Sequence, residues 1–473
     1  MKAVYAVALI VYVAILAVAG LLRSRRSKNL KDFFLASRAL SPGLMALALC
    51  GAWFGATSIL VSADEAFREG VSAYWIVGLP AVLTLVLFAV LFVRPIHGLS
   101  SVSLSDLFEL RYGRAVRHAA TFLIVWYMIM LAGSQLVAAG RFLSAFLGVS
   151  YPLSLLAAVA IVLFYSTIGG LLAVARVDRV RFFILVAGIC ALVFSLLART
   201  SFGKAATLAI ESGRTGYFDF FHGAWRNAWI VLSFTLAWTI SPIAWQRIWA
   251  VGTAEKARRG LRLAAVLLGL LYAAIVAVGI LFLPIFKGTA DGRLLVSRFI
   301  AEAAGPVLGT VLFVTVMAAI LSTMDAAINT GALSATRDIY QQVFPRTPDL
   351  KLVRVSRWAT FAVGAAALAV AFRFQDILKT IGLASQIMAE GLFIPGIAML
   401  FLRRRLPLAG LLSLLLGGGF CIIAFLNDAG AVRLSIPTWP YSVPLGVASS
   451  AAGFLLGAGI EAMKLRAARS RGL

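Results

Sequence analysis

The chain has 473 residues, of which 62% are hydrophobic and 13% charged, and its mean hydropathy is +0.96. That composition excludes a soluble enzyme or binding domain, because water cannot solvate so large a share of apolar side chains. The formal net charge of +24 does not indicate nucleic acid, because the Lys and Arg form no single basic face but collect in every second loop between apolar runs, a pattern that reports membrane topology.

Thirteen apolar runs follow one another, each long enough to cross a bilayer core about 30 Å thick as a helix. They lie near 3–22, 42–64, 71–93, 119–146, 152–168, 181–198, 229–251, 263–286, 306–333, 358–374, 381–402, 408–426 and 441–463. The first is too long for a cleaved leader and is followed by Arg23, Arg25, Arg26, Lys28 and Lys31, so it reads as a signal anchor. One Lys before that run against five cations after it places the N-terminus outside, and an odd number of crossings places the C-terminus inside. Clusters at Arg176, Arg179 and Arg181, at Lys256, Arg258, Arg259 and Arg262, at Arg403 to Arg405 and at Lys464 to Arg471 all fall on the cytoplasmic side in this arrangement. The expectation is a single multi-pass transporter domain over 1–473 in the inner (plasma) membrane, bounded by the lipid bilayer, with neither nucleic acid nor an obligate protein as partner. Cys50, Cys190 and Cys421 sit inside apolar runs, and His97, His118 and His222 lack ligand-like spacing, so no disulfide framework, metal centre or cofactor is implied.

Helix breakers and buried polar groups are costly in hydrocarbon, and their positions mark function. The second run carries Gly51-Ala52-Trp53-Phe54-Gly55-Ala56-Thr57-Ser58 at mid-span, and the seventh carries Thr239-Ile240-Ser241-Pro242. Taken singly, these read as a small-residue packing face and a proline kink. The seventh run comes five runs after the second, an odd offset, so the two segments cross the membrane in opposite senses. An inverted repeat of 42–198 and 229–402 would produce that pattern, with two interrupted helices meeting at the midplane, a peripheral first helix at 3–22 and two further peripheral helices within 408–463. The fold class expected is therefore an all-α polytopic membrane protein with a LeuT-like inverted five-helix repeat.

The ninth run is unusually polar: Ala318-Ala319-Ile320-Leu321-Ser322-Thr323-Met324-Asp325-Ala326-Ala327-Ile328-Asn329-Thr330. At 100° per residue, Ser322, Asp325 and Asn329 share one stripe, and Thr323 and Thr330 lie on the next. A small dehydrated cation needs about five or six hard oxygens, and two hydroxyls beside the free carbonyls of a broken helix supply that chemistry. The bland alternative is that each hydroxyl bonds its own i−4 carbonyl. Asp325 argues against blandness, since an intramembrane carboxylate costs about 2.5–3.5 kcal/mol unless something compensates it. Glu390 in the eleventh run raises the same question, and its role stays open.

Several stretches resemble the sodium:solute symporter family over most of residues 30 to 405. They are Asp32-Phe33-Phe34-Leu35-Ala36-Ser37-Arg38, then Trp53 to Ser58 with Glu65-Ala66-Phe67-Arg68-Glu69-Gly70, then Ile168-Gly169-Gly170-Leu171 with Ala173, Val174 and Asp178. Trp245-Gln246-Arg247 with Ala254 to Gly260, and Ala319 to Asp325 with Thr336-Arg337-Asp338-Ile339-Tyr340, complete the set. The resemblance implies sodium as coupling ion, held by the carbonyls of Gly51, Phe54 and Ala319 and the hydroxyls of Ser322 and Thr323. Some members bind a second sodium at the aspartate matching Asp178 with hydroxyls one turn beyond the Ser-Thr pair, where this chain has Asp325 and Ala326. A second ion, a bound proton and an ion pair with arginine all stay open there. Arg181 stands where many members carry a neutral amide, and Thr57-Ser58 replaces the Glu-Gln pair of sugar-transporting members.

In such an architecture the solute sits beside the ion. The candidates are Trp53, Thr57, Ser58, Gln135, Trp238, Ser241 and Gln386, chosen for polar or aromatic character near the breaks. Gln135 is a lone amide within its run and needs an interhelical partner. The function expected is sodium-coupled symport of a small polar solute by alternating access. The alternatives are a proton-coupled symporter or uniporter of the same fold, and a membrane solute sensor, which the short tail after the last run disfavours. An enzyme is not expected, since no catalytic constellation lies in the spans.

Overall fold

Helices close all their backbone hydrogen bonds within one segment, which is why apolar runs of this length adopt them in lipid. The structure, a computed structural model, describes residues 1–21, 38–99, 101, 103–166, 171–287, 294–402 and 404–470. Apart from one isolated bridge between Leu40 and Val251, all regular structure among them is helical. The basic residues from Arg23 to Lys31, the stretch Asp32 to Ser37, Ile168-Gly169-Gly170 and Arg403 lie outside the described residues.

In chain order the helices are α1 (Lys2–Leu21), α2 (Pro42–Trp53), α3 (Ser62–Glu69), α4 (Gly78–Leu87), α5 (Val93–Gly98), α6 (Leu104–Tyr112), α7 (Arg114–Leu147) and α8 (Tyr151–Ser166). There follow α9 (Leu171–Leu197), α10 (Phe202–Glu211), α11 (Ala224–Thr239), α12 (Pro242–Trp249), α13 (Ala254–Ile285) and α14 (Leu295–Glu302). The last are α15 (Gly305–Ser334), α16 (Gln341–Val343), α17 (Asp349–Arg373), α18 (Ile377–Ile387), α19 (Phe393–Phe401), α20 (Pro407–Asp428) and α21 (Val443–Ser470). Wide π turns interrupt the pattern at Thr57–Val61, Phe88–Phe92, Ala335–Tyr340 and Met388–Leu392.

Starts and stops follow local chemistry. The Ser41 hydroxyl accepts from the amide of Leu44, with Pro42 opening α2, and Thr253 caps α13 in the same way through Lys256; each satisfies an amide that has no partner within its helix. Gly148 closes α7 in the left-handed region, where the absence of a Cβ removes the steric penalty.

Among the described residues nine helical runs are long and apolar enough to cross a membrane, and ten if the bent pair α11 and α12 counts as one span. The protein is thus a multi-pass, all-helical membrane protein. The difference from thirteen has a local cause: the second expected run is split at its break, its first half Pro42–Trp53 being short, and Lys2–Val18 and Tyr151–Phe164 are short as well. Two of the longer connections contain helix, α10 in 199–228 and the turn Ala335–Tyr340 with α16 in 335–357. The sixth run begins ten residues earlier than expected, and this overturns one reading of the charge pattern: Arg181 is not a loop cation but is fully buried inside α9.

The centre of the molecule is α15, which packs against α2, α7, α9 and α17. Small residues allow the closest approaches, as at Gly279 of α13, where an added Cβ would fall 2.3 Å from the Ala63 carbonyl oxygen of α3. Helices α20 and α21 pack mainly on each other and on the turn Met388–Leu392. At one end of α15, Arg117 of α7 joins Asp106 at 2.8 Å, Asp338 at 3.3 Å and the Glu109 carboxylate, while Ser103 donates to Asp338 at 2.6 Å. Asp338 and Arg117 are both buried there.

Candidate ion and solute site

The break in the second membrane segment begins at Phe54, whose backbone leaves the helical region at φ −92°, ψ 75°. Helix resumes at Ala56 and widens into the turn Thr57–Val61. Two glycines beside the break admit side chains of α15 closely. A Cβ on Gly51 would fall 3.0 Å from Ser322 Oγ, and one on Gly55 would fall 2.6 Å from both Thr323 Oγ1 and Gln135 Oε1.

Ser322 and Thr323 therefore turn their hydroxyls across the helix interface. Thr323 Oγ1 donates to the Gly51 carbonyl at 3.5 Å, and Ser322 Oγ donates to Asp178 Oδ1 at 3.0 Å. Ala319, one turn earlier on α15, and Phe54 are both fully buried in the same region. The Gly51 carbonyl is thus met by the Thr323 hydroxyl, and the Ser322 hydroxyl is engaged by Asp178, at a buried interface between the broken helix, α9 and α15.

The break is held by side chains from other helices. Gln135 Oε1 accepts from the amide of Ala56 at 2.9 Å, and its Nε2 donates to Ser134 Oγ at 3.1 Å. Ser58 Oγ shares a hydrogen bond of 2.8 Å with Tyr272 and donates to the Trp53 carbonyl at 3.3 Å. Gln135 is thus the anchor of an orphaned amide, and Gln135→Leu is expected to leave that amide unsatisfied at a cost of about 1–3 kcal/mol. Thermal unfolding in detergent measures this; an unchanged midpoint would remove Gln135 from that role.

The second break bends α11 against α12 by 43°. The Trp245 indole donates to the Thr239 carbonyl at 2.8 Å, which satisfies an acceptor freed by the interruption. Between the two breaks lies a small, partly open pocket of about 30 Å³. Of the solute candidates, Trp53, Thr57, Ser58, Gln135 and Trp238 line it, together with Thr323. The rings of Trp53 and Trp238 stand 5.5 Å apart. Thr57 Oγ1 is buried with no hydrogen-bond partner among the described residues.

Ser241 and Gln386 are not among the lining residues. Ser241 stands at the N-cap position of α12 without a side-chain capping bond, near the Tyr127 hydroxyl. Gln386 donates to Ser442 Oγ at 3.0 Å, so its face of α18 turns toward the last two helices. Glu390 follows it on that face, where an added Cβ on Gly446 would meet its Cδ at 2.2 Å.

Tyr127 and Leu131 line the pocket and were not singled out. They stand eight and four residues before Gln135, so the helical stripe through Gln135 carried the signal.

Beside the Ser-Thr pair lies a buried ionic cluster. Arg181 Nη1 stands 3.1 Å from Asp178 Oδ1 and 3.3 Å from Asp325 Oδ2. Asn329 donates to Asp325 at 2.6 Å, Ser166 also donates to Asp325, and Arg247 of α12 approaches Asp178 at 3.9 Å. Of the three readings left open for Asp178 and Asp325, the geometry contains the ion pair with arginine.

A family model described as the sodium:solute symporter family matches residues 33–417. The chain belongs to that family. It is a sodium-coupled solute symporter and not an enzyme, and membership favours sodium coupling over the proton-coupled, uniport and sensor alternatives. The symporter is 27% identical to the bovine sodium-coupled monocarboxylate transporter 2, over 89% of this chain and 71% of that relative. It is 24% identical to the high-affinity proline transporter of Bacillus subtilis (strain 168), over 86% of this chain and 89% of that one. In fold it is similar to a solved Na+-coupled sialic acid symporter in a substrate-bound outward-open state, with a TM-score of 0.79 at 16% identity, covering 96% of this chain and 97% of that one.

Proposed function

We propose that this symporter carries one sodium ion and one small solute together by alternating access across the inner membrane. The ion is held by the carbonyls of Gly51, Phe54 and Ala319 and the hydroxyls of Ser322 and Thr323. In this reading the chain crosses thirteen times with its N-terminus outside, and 42–198 and 229–402 form the two inverted halves that rock about the site.

The observation that carries the proposal is the double engagement of Thr323. Its hydroxyl reaches the Gly51 carbonyl, and the same residue lines the solute pocket. An ion at that hydroxyl and a solute in that pocket share a wall, so each changes the affinity of the other, and coupling of this kind is reciprocal. The driving force is adequate: one monovalent cation falling through about 100 mV releases roughly 2.3 kcal/mol, and a tenfold gradient adds about 1.4 kcal/mol, enough for a few hundredfold accumulation of a neutral solute.

The pocket lining supports a solute class. It has two Trp, one Tyr and several aliphatic side chains but no Asp, Glu, Lys or Arg among the described residues. A cationic solute would find no counter-charge there, whereas a carboxylate would face the neighbouring sodium. The solute proposed is a small molecule with an apolar body and one polar or carboxylate end, a chemistry that the relatives named for monocarboxylates and for proline share.

A thermal-shift screen of the purified protein tests this. Short monocarboxylates and neutral amino acids are expected to stabilise it in sodium and to do nothing in choline. Stabilisation by amines or sugars alone would reject the solute class, and ligand stabilisation indifferent to sodium would reject the shared site.

A further inference from the structure

The ionic cluster at α9 and α15 lies outside the solute pocket, and its composition is informative. Asp178 and Asp325 are both buried, and each would strongly disfavour desolvation as an anion without a cation beside it. One cation stands between them, the Arg181 guanidinium, at 3.1 Å from one carboxylate and 3.3 Å from the other. Arg181 is itself fully buried. Among the described contacts it donates to Asp178 and Asp325, with Tyr12 of α1 close by, and Ser166 donates to Asp325. Arg247 balances the second carboxylate charge from α12, so the four groups sum to zero.

Hard oxygens in a dry, doubly anionic enclosure are what a sodium ion would seek. Here that place is filled by a cation that cannot leave. The enclosure also touches the ion site directly, since Asp178 accepts from Ser322.

We propose that Arg181 acts as a tethered second cation, which limits the symporter to one mobile sodium per cycle and sets that ion's affinity through Asp178 and Ser322. The proposal rests on the one-ion reading above and goes beyond it in naming the residue that determines the stoichiometry. It makes a further claim about charge: removing the guanidinium leaves the enclosure one charge too negative, and a second sodium restores neutrality.

The test counts bound sodium on the purified full chain, using radioactive sodium at equilibrium with choline keeping ionic strength constant. The parent is expected to bind one ion per chain with a Hill slope near one. Arg181→Gln is expected to bind two, with a steeper slope. Arg181→Lys keeps the charge and should bind one, and the double variant Arg181→Gln with Asp325→Asn, neutral again, should return to one. Two ions on the parent would overturn the proposal whether or not any variant folds, and so would one ion on folded Arg181→Gln. No sodium on the parent would instead remove the ion site proposed above, a result that separates the two failures. If Arg181→Gln does not fold, the neutral double variant decides together with the parent: two ions on it would equally refute the tethered cation.

Discussion

Replacing Ser322 and Thr323 together by alanine is expected to weaken sodium binding about a hundredfold. The pair supplies two of the five proposed ligand oxygens, and a hydrogen bond or ligand contact to a charged group contributes about 1.5–3 kcal/mol; losing two such contacts gives a net loss near 3 kcal/mol, which corresponds to that factor. Equilibrium sodium binding with choline as replacement ion measures it. Thr323→Val, which keeps volume and leaves the contact of Ser322 with Asp178 intact, should lose about tenfold by the same arithmetic. Sodium affinity unchanged in the double variant would dismiss the ion site, because no other residue on α15 presents a hydroxyl to the Gly51 carbonyl among the described contacts.

Arg117→Ala is expected to destabilise the protein by about 3–5 kcal/mol, the usual consequence of removing one partner from a buried ion pair. Asp338 is fully enclosed and, among the described contacts, would be left to the neighbouring hydroxyls of Ser103 and Ser105. Asp106 and Glu109 would lose the same counter-charge, although their partial exposure lets water offset some of that loss. Chemical denaturation in detergent reads the change. The double variant Arg117→Leu with Asp338→Leu should recover much of the stability, since two apolar side chains need no counter-charge. A single variant as stable as the parent would show that water reaches Asp338 in solution.

Much of the fold was legible in the sequence because lipid is a simple solvent. Runs of apolar residues must be helices there, and the runs read from the sequence are largely helix where residues are described, apart from the breaks at Phe54–Gly55 and Ile240–Ser241 and a few short turns. The break at Phe54 was legible because the small and polar stretch Gly51 to Ser58 has a counterpart five runs later at Thr239 to Pro242, although either stretch alone reads as packing or a kink. The polar stripe on α15 was legible through its period, and its hydroxyls do reach other helices rather than their own i−4 carbonyls. Gln135 stood out as a lone amide, and its partner, the Ala56 amide, is the kind of group an amide in lipid must find.

Other features were hidden for equally physical reasons. Arg181 looked like part of a cytoplasmic basic cluster because α9 starts well before its apolar run does, and the turns that precede that run are stabilised by ion pairs that hydropathy does not detect. Gln386 had the right character for a solute ligand but the wrong direction, since α18 presents that face to the last two helices. An amide is equally at home in a binding pocket and in a helix interface, and composition cannot choose between them. Trp439 is a further instance: it lies in the connection between α20 and α21, yet its indole donates to Ser233 Oγ at 3.0 Å and its ring stands 5.7 Å from Phe234, which stacks on Trp238 of the pocket wall. Nothing in a loop sequence announces such an insertion.

The sequence by itself determined that the chain is helical, that it lives in a bilayer, where its helices break and which helix carries the polar stripe, because each of these depends on residues close together in the chain and on a solvent that forbids alternatives. Only the tertiary structure decided which buried charges neutralise one another, which candidates share the pocket and which glycines admit a neighbour. Those outcomes depend on distances between residues as far apart as Gly51 and Thr323 or Arg181 and Asp325, and packing between helices, rather than periodicity within one, sets such distances.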